Sequence, residues 1–149
     1  MARIHAGASA LIDAPPATVY AILADYQGAH PQILPPQFFT GLEVEAGGQG
    51  AGTIFRTGVR VLGRETRFRM EVREPQPGRV LSETDLATGL TTTFTVTPTA
   101  EGRQSVVEIA TVWEGGILER LTTPLIMRRI YQAELALLAR YVDQAGGKR

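Results

Sequence analysis

The sequence predicts an α+β fold: a curved antiparallel sheet of about seven strands wrapped around one long C-terminal helix, with two short helical pieces after the first strand. Three observations predict it. Apolar and polar residues alternate with period two from about residue 38 to 113. Helical spacing returns over the last 35 or so residues. Between a first strand and that block, residues 12–26 read as strand, sharp corner and short helix.

Taken in order, residues 3–12 form the first strand, which ends at Asp13. Pro15 and Pro16 follow, and proline is tolerated in a first helical turn because its missing N–H would be unpaired there. Val19, Ile22, Leu23 and Tyr26 then recur as one buried helical stripe. Gly28, Pro31, Pro35 and Pro36 exclude a long helix over 27–37, so a short second helix or turn and an irregular loop are expected.

The period-two block divides into strands at 38–46, 53–61, 65–73, 79–86, 90–98 and 104–113, with Gly47-Gly48-Gln49-Gly50 as a turn. A two-residue turn at Leu62-Gly63 sets Phe55 opposite Met70 and Thr57 opposite Phe68. A second at Glu101-Gly102 sets Phe94 opposite Ile109, Thr92 opposite Thr111 and Leu90 opposite Trp113. Both registers gather apolar residues on one face, and a one-residue slip would scatter them. The other face carries Arg67, Arg69, Glu71 and Arg73, then Thr91, Thr93, Thr95 and Thr97, a solvated surface that also takes Arg56 and Arg60.

Strand 79–86 has two readings. A three-residue Ala87-Thr88-Gly89 turn turns Val80, Ser82, Thr84 and Leu86 inward. A two-residue Thr88-Gly89 turn turns Leu81, Glu83 and Asp85 inward instead. Burying two unpaired carboxylates costs several kcal/mol each or forces them neutral, so the first register is favoured. Beyond Gly115-Gly116, Thr123-Pro124 read as N-cap and first helical position. Met127, Ile130, Tyr131, Leu135, Leu138 and Val142 form the helix's apolar stripe, and Gly146-Gly147 end it.

Composition narrows function mainly by exclusion. A chain of 149 residues suits a single domain spanning 1–149, able to bury about 70% of its unfolded surface. Fifteen basic and fifteen acidic residues cancel, which removes the electrostatic case for nucleic acid or an anionic membrane as partner. With no cysteine, thiolate catalysis, thiolate metal sites and disulfides are excluded; His5 and His30 are the only histidines, and no spacing suggests a metal site. No apolar run reaches membrane-spanning length, and the N-terminus lacks a signal-peptide layout, so a cytoplasmic protein without membrane insertion is expected.

The corner segment resembles the N-terminal signature of the START-like superfamily, the helix-grip fold of polyketide cyclase-like and Bet v 1-like proteins. The matching residues are Ile12, Ala14, Pro15, Val19, Tyr20, Ile22, Leu23 and Asp25. The predicted element order fits that fold over nearly the whole chain, which looks like the polyketide cyclase/dehydrase-like branch. Tyr20-Ala21, Asp25-Tyr26 and His30-Pro31-Gln32-Ile33-Leu34-Pro35 also resemble a phrase of coenzyme-Q-binding START proteins, with His30 in place of a tyrosine and Ile33 in place of a phenylalanine.

The resemblance implies an internal ligand cavity between sheet and helix. Under the registers above, Phe55, Val59, Phe68, Met70, Thr92, Phe94, Ile109, Thr111, Trp113, Met127, Ile130 and Tyr131 point inward as its expected lining. The function expected is binding of a small hydrophobic molecule (a lipid, an isoprenoid or quinone, or a polyketide-like compound) without catalysis, cofactor or metal, by a monomer or weak homodimer. One alternative is an aromatase/cyclase- or dehydratase-like enzyme using Glu83 or His30. Another is a protein-interaction module of the co-chaperone kind. His30 reads by default as a loop histidine with a structural hydrogen bond; Glu134 lies near the inner edge of the last helix's stripe, where it could hydrogen-bond a ligand, and reads by default as a solvated edge.

Overall fold

The computed structural model describes residues 2–146. Its elements are β1 (Ala2–Ile12), α1 (Pro16–Ala24), α2 (Ala29–Ile33), β2 (Phe39–Ala46), β3 (Ile54–Val61), β4 (Arg64–Gln76), β5 (Val80–Asp85), β6 (Thr91–Thr99), β7 (Gln104–Gly115) and α3 (Ile117–Gly146). The seven strands make one antiparallel sheet in the order β1-β7-β6-β5-β4-β3-β2. β1 joins β7 at one edge of the sheet, α1 packs on β6 and β7, and α2 packs on α1. α3 lies against β1, β7 and α2. This is the α+β helix-grip arrangement.

Two hairpins follow from turn chemistry and alternation together. Leu62 and Gly63 both adopt positive φ (52° and 77°), as a two-residue turn matched to strand twist demands. Phe55 accordingly pairs with Met70 and Thr57 with Phe68. Glu101 and Gly102 do the same (58° and 85°), pairing Phe94 with Ile109 and Thr92 with Thr111. The inward residues merge with Val19, Leu23 and Ile33 from α1 and α2, and with Ile130, Leu135 and Leu138 from α3, into one core cluster.

Two expectations are corrected here. α3 begins at Ile117, so Pro124 lies inside the helix and Thr123 is not its N-cap. An interior proline removes an intrahelical hydrogen bond and disfavours a helix by about 3 kcal/mol, which is why the local rule placed the start too late. Gly147, read as part of the helix stop, lies outside the described residues. Strand β5 also has the opposite register from the favoured one. Leu81 pairs with Phe94 and Glu83 with Thr92, so Leu81, Glu83 and Asp85 face inward, while Leu86 is exposed in the turn.

The hairpin closes through the four residues Leu86-Ala87-Thr88-Gly89, with the Asp85 N–H donating to the Leu90 carbonyl at 2.8 Å. A four-residue loop gives the same facing as a two-residue one. The Asp85 carboxylate is not unpaired. It accepts from the Arg69 N–H (3.0 Å), the Thr88 N–H (3.0 Å) and the Thr88 hydroxyl (2.7 Å), so the desolvation penalty used against this register is largely offset.

Candidate functional site

Between the sheet and α3 lies a cavity of about 60 Å³. Its inner end is formed by the buried residues His30, Phe55, Met70, Glu83, Thr92, Phe94, Ile130, Tyr131 and Glu134. Its rim is half-buried: Leu34, Phe39, Leu42, Thr57, Val59, Phe68, Leu90 and Met127. Pockets that enclose drug-sized ligands usually run to about 300–1,000 Å³, so this one holds a small group or ring. A longer ligand requires the rim to part.

Of the residues expected to line it, Phe55, Val59, Phe68, Met70, Thr92, Phe94, Met127, Ile130 and Tyr131 do so. Ile109, Thr111 and Trp113 do not. Ile109 is solid core. Thr111 is buried behind the lining, where its hydroxyl bonds those of Thr92 (2.7 Å) and Tyr131. Trp113 is half-buried near the end of β7, paired with Ile4, away from the cavity.

The polar inner end is built by the segment after α1. The Asp25 carboxylate accepts the Gly28 and Ala29 N–H groups (3.0 Å each) that open α2, and these bonds hold it below the usual carboxylate range. That turn fixes Tyr26 and His30 side by side. Their rings stack at 4.5 Å, Tyr26 also stacks on Phe55 at 4.9 Å, and His30 meets Phe94 edge-on at 5.5 Å. His30 thus lies in α2, not in a loop, and its Nδ1 sits 2.6 Å from the Leu23 carbonyl. A carbonyl only accepts, so Nδ1 carries the proton and Nε2 keeps a lone pair.

Glu83 enters from β5 beneath this stack. It is 7% exposed, not solvated as the favoured register required. The Tyr26 hydroxyl donates to its Oε2 at 2.7 Å, and His30 Nε2 lies 3.8 Å from the same oxygen, beyond hydrogen-bond reach. Burial pushes the Glu83 carboxyl up to about 7, with the Tyr26 bond opposing it, and pushes His30 down to about 4. Between those limits both groups are neutral, so the contact is not an ion pair.

Glu134 enters from α3 and is also a correction. It is 2% exposed, and its carboxyl is raised well above its ordinary value by burial first and by Glu83 second. Burial likewise raises the Tyr26 and Tyr131 hydroxyls. Helical spacing carried the signal for Glu134: it stands four residues after Ile130 and three after Tyr131, on the inner face. Among the described residues no group of three or more His, Cys, Asp or Glu forms a metal-binding cluster, and no helix is long and apolar enough to cross a membrane.

A model of the family described as polyketide cyclase/dehydrase and lipid transport matches residues 3–143. The chain is similar at 32% identity to the KanY protein, whose solution structure superposes with a TM-score of 0.84 over 96% of this chain and 99% of that one. Two more distant structures share the fold alone. A START superfamily protein from Mycobacterium smegmatis is 16% identical, with a TM-score of 0.78 over 95% of this chain and 98% of that one. The Zhui aromatase/cyclase from Streptomyces sp. R1128 is 18% identical, with a TM-score of 0.76 over 96% and 95%. Among curated proteins none matches this sequence.

Proposed function

This chain belongs to the polyketide cyclase/dehydrase and lipid transport family, and from that membership we propose that it binds a small hydrophobic molecule with one polar end in the cavity between sheet and α3. The carrying observation is the cavity's polarity gradient. Its rim is apolar apart from Thr57, and Glu83, Glu134 and His30 line its inner end. Apolar walls supply affinity through area removed from water, and the few polar groups orient the ligand. A lipid, an isoprenoid or quinone, or a polyketide-like compound fits this description, with its remaining length passing out between Leu34, Phe68 and Met127.

An apolar fluorescent probe tests this reading. It should bind one site per chain and be displaced by fatty acids or isoprenoids. Met127→Trp, which fills the rim, should weaken binding about tenfold or more while leaving the circular dichroism spectrum unchanged. Equal binding to both proteins would refute the cavity as the site.

One observation favours a second reading, acid–base catalysis in the manner of a dehydratase or cyclase. Glu83 keeps its proton up to about pH 7, while the neighbouring His30 Nε2 stays unprotonated down to about pH 4. Such a pair can protonate a leaving hydroxyl and accept a proton from carbon next to a carbonyl. The test is deuterium uptake at that carbon in a bound ketone in heavy water. Uptake that Glu83→Gln or His30→Gln abolishes supports catalysis, and uptake no faster than in buffer leaves binding alone.

A further inference from the structure

With Glu83 and Glu134 ionised, the cavity's inner end is rich in hydrogen-bond acceptors and poor in donors; in the protonated state each carboxyl adds one O–H. The one N–H of His30 faces the Leu23 carbonyl, so Nε2 offers the cavity a lone pair. Glu83 has one oxygen engaged by Tyr26. Glu134, 2% exposed, has no hydrogen-bond partner among the described residues. The hydroxyls of Thr92, Thr111 and Tyr131 bond one another. Among the described residues no lysine or arginine lines the cavity.

We propose that the polar end of this protein's ligand is an amine, held as the ammonium between the carboxylates of Glu83 and Glu134. This deepens the binding reading above and rests on it. A primary ammonium brings three N–H donors and no acceptor, the complement of what the site presents. Aromatic walls such as Phe55, Phe94 and Tyr131 also accommodate a cation better than aliphatic ones. A ligand hydroxyl supplies one donor and a ligand carbonyl none.

Binding of the ammonium is coupled to proton release. The titratable groups facing one another are Tyr26, His30 on α2, Glu83 on β5, and Tyr131 and Glu134 on α3. Burial keeps both tyrosine hydroxyls protonated and His30 neutral near neutral pH. The two carboxyls are therefore the groups whose protons move. An incoming cation offsets the burial that holds both carboxyls up and the repulsion from Glu83 that raises Glu134 further, and a proton leaves as each ion pair forms. Affinity for an amine consequently rises with pH until the carboxyls ionise unaided.

Titration calorimetry of the full chain with benzylamine and benzyl alcohol, nearly equal in shape, tests this. Near neutral pH the amine should bind about tenfold or more tightly than the alcohol, and its heat should vary with the buffer's ionisation enthalpy, showing proton release. Glu134→Gln should remove most of the preference and part of the proton release, and Glu83→Gln should give an independent second reading of both. Alcohol bound as tightly as amine, or amine bound without proton release, overturns the amine proposal and leaves the cavity reading standing. Binding of neither compound overturns both.

Discussion

Replacing Glu83 by glutamine isolates the cost of burying its charge. Burial raises this carboxyl from an ordinary 4.5 to about 7. Below about pH 4.5 it is protonated in the folded and the unfolded chain alike and exacts no penalty. From about 4.5 to 7 the unfolded chain releases the proton while the folded chain retains it, so stability falls as pH rises. The interval from 4.5 to about 7, at roughly 1.4 kcal/mol per pH unit, amounts to about 3 kcal/mol. Glutamine keeps the shape and can accept the Tyr26 hydroxyl through Oε1, but it has no proton to lose. The stability of Glu83→Gln minus that of the unaltered protein should therefore grow by about 3 kcal/mol in the variant's favour between pH 4.5 and 8. Urea denaturation followed by circular dichroism at a series of pH values measures the difference. A difference constant to within about 0.5 kcal/mol over that range, as expected of a surface substitution, would refute the argument from burial.

Tyr26→Phe removes the donor that stabilises the charged form of Glu83, so the Glu83 carboxyl should titrate above about 7, as followed by its side-chain carbon signal in NMR; a fall would contradict the assigned bond. Asp85→Ala strands the Arg69 and Thr88 donors in the β5–β6 hairpin and should destabilise the fold by about 1–3 kcal/mol in chemical denaturation, with Asp85→Asn recovering part of the loss. Trp113, half-buried and off the cavity, should emit between the buried and water-like limits, and its maximum should not move when the cavity fills. A ligand-dependent blue shift would place it at the site.

Strand alternation and turn chemistry were legible wherever they constrained each other. Leu62-Gly63 and Glu101-Gly102 could pair their strands in only one apolar-inward way, and the ladders follow it. The register of β5 was misjudged because its inward carboxylates were counted as unpaired. The partner of Glu83 is Tyr26, 57 residues away in sequence, and no local pattern reveals it. Asp85 was different: its partner Thr88 stands three residues away, so a local pattern could have revealed a loop that caps its own aspartate. His30 was singled out as a residue, yet its orientation depends on stacking between Tyr26 and Phe94, a tertiary fact. Glu134 was readable from helical spacing, which places it near the inner edge of the stripe, although glutamate is seldom fully buried. The cavity's modest volume is a matter of side-chain packing, on which sequence pattern is silent.

The loop Leu86-Ala87-Thr88-Gly89 makes the chemistry of the cavity depend on a count of residues. Lengthening or shortening it by two leaves Leu81, Glu83 and Asp85 facing α3. A change of one, unless a bulge absorbs it as bulges do in β2, exchanges the two faces of β5 and sets Ser82 and Thr84 where the acids stand. Insertion or deletion of a single codon in this exposed turn can thus take Glu83 out of the binding chamber, leaving Glu134 of α3 in it, in a single evolutionary step. Descendants of one helix-grip ancestor can in this way part company in ligand charge without any substitution among the residues that line the chamber.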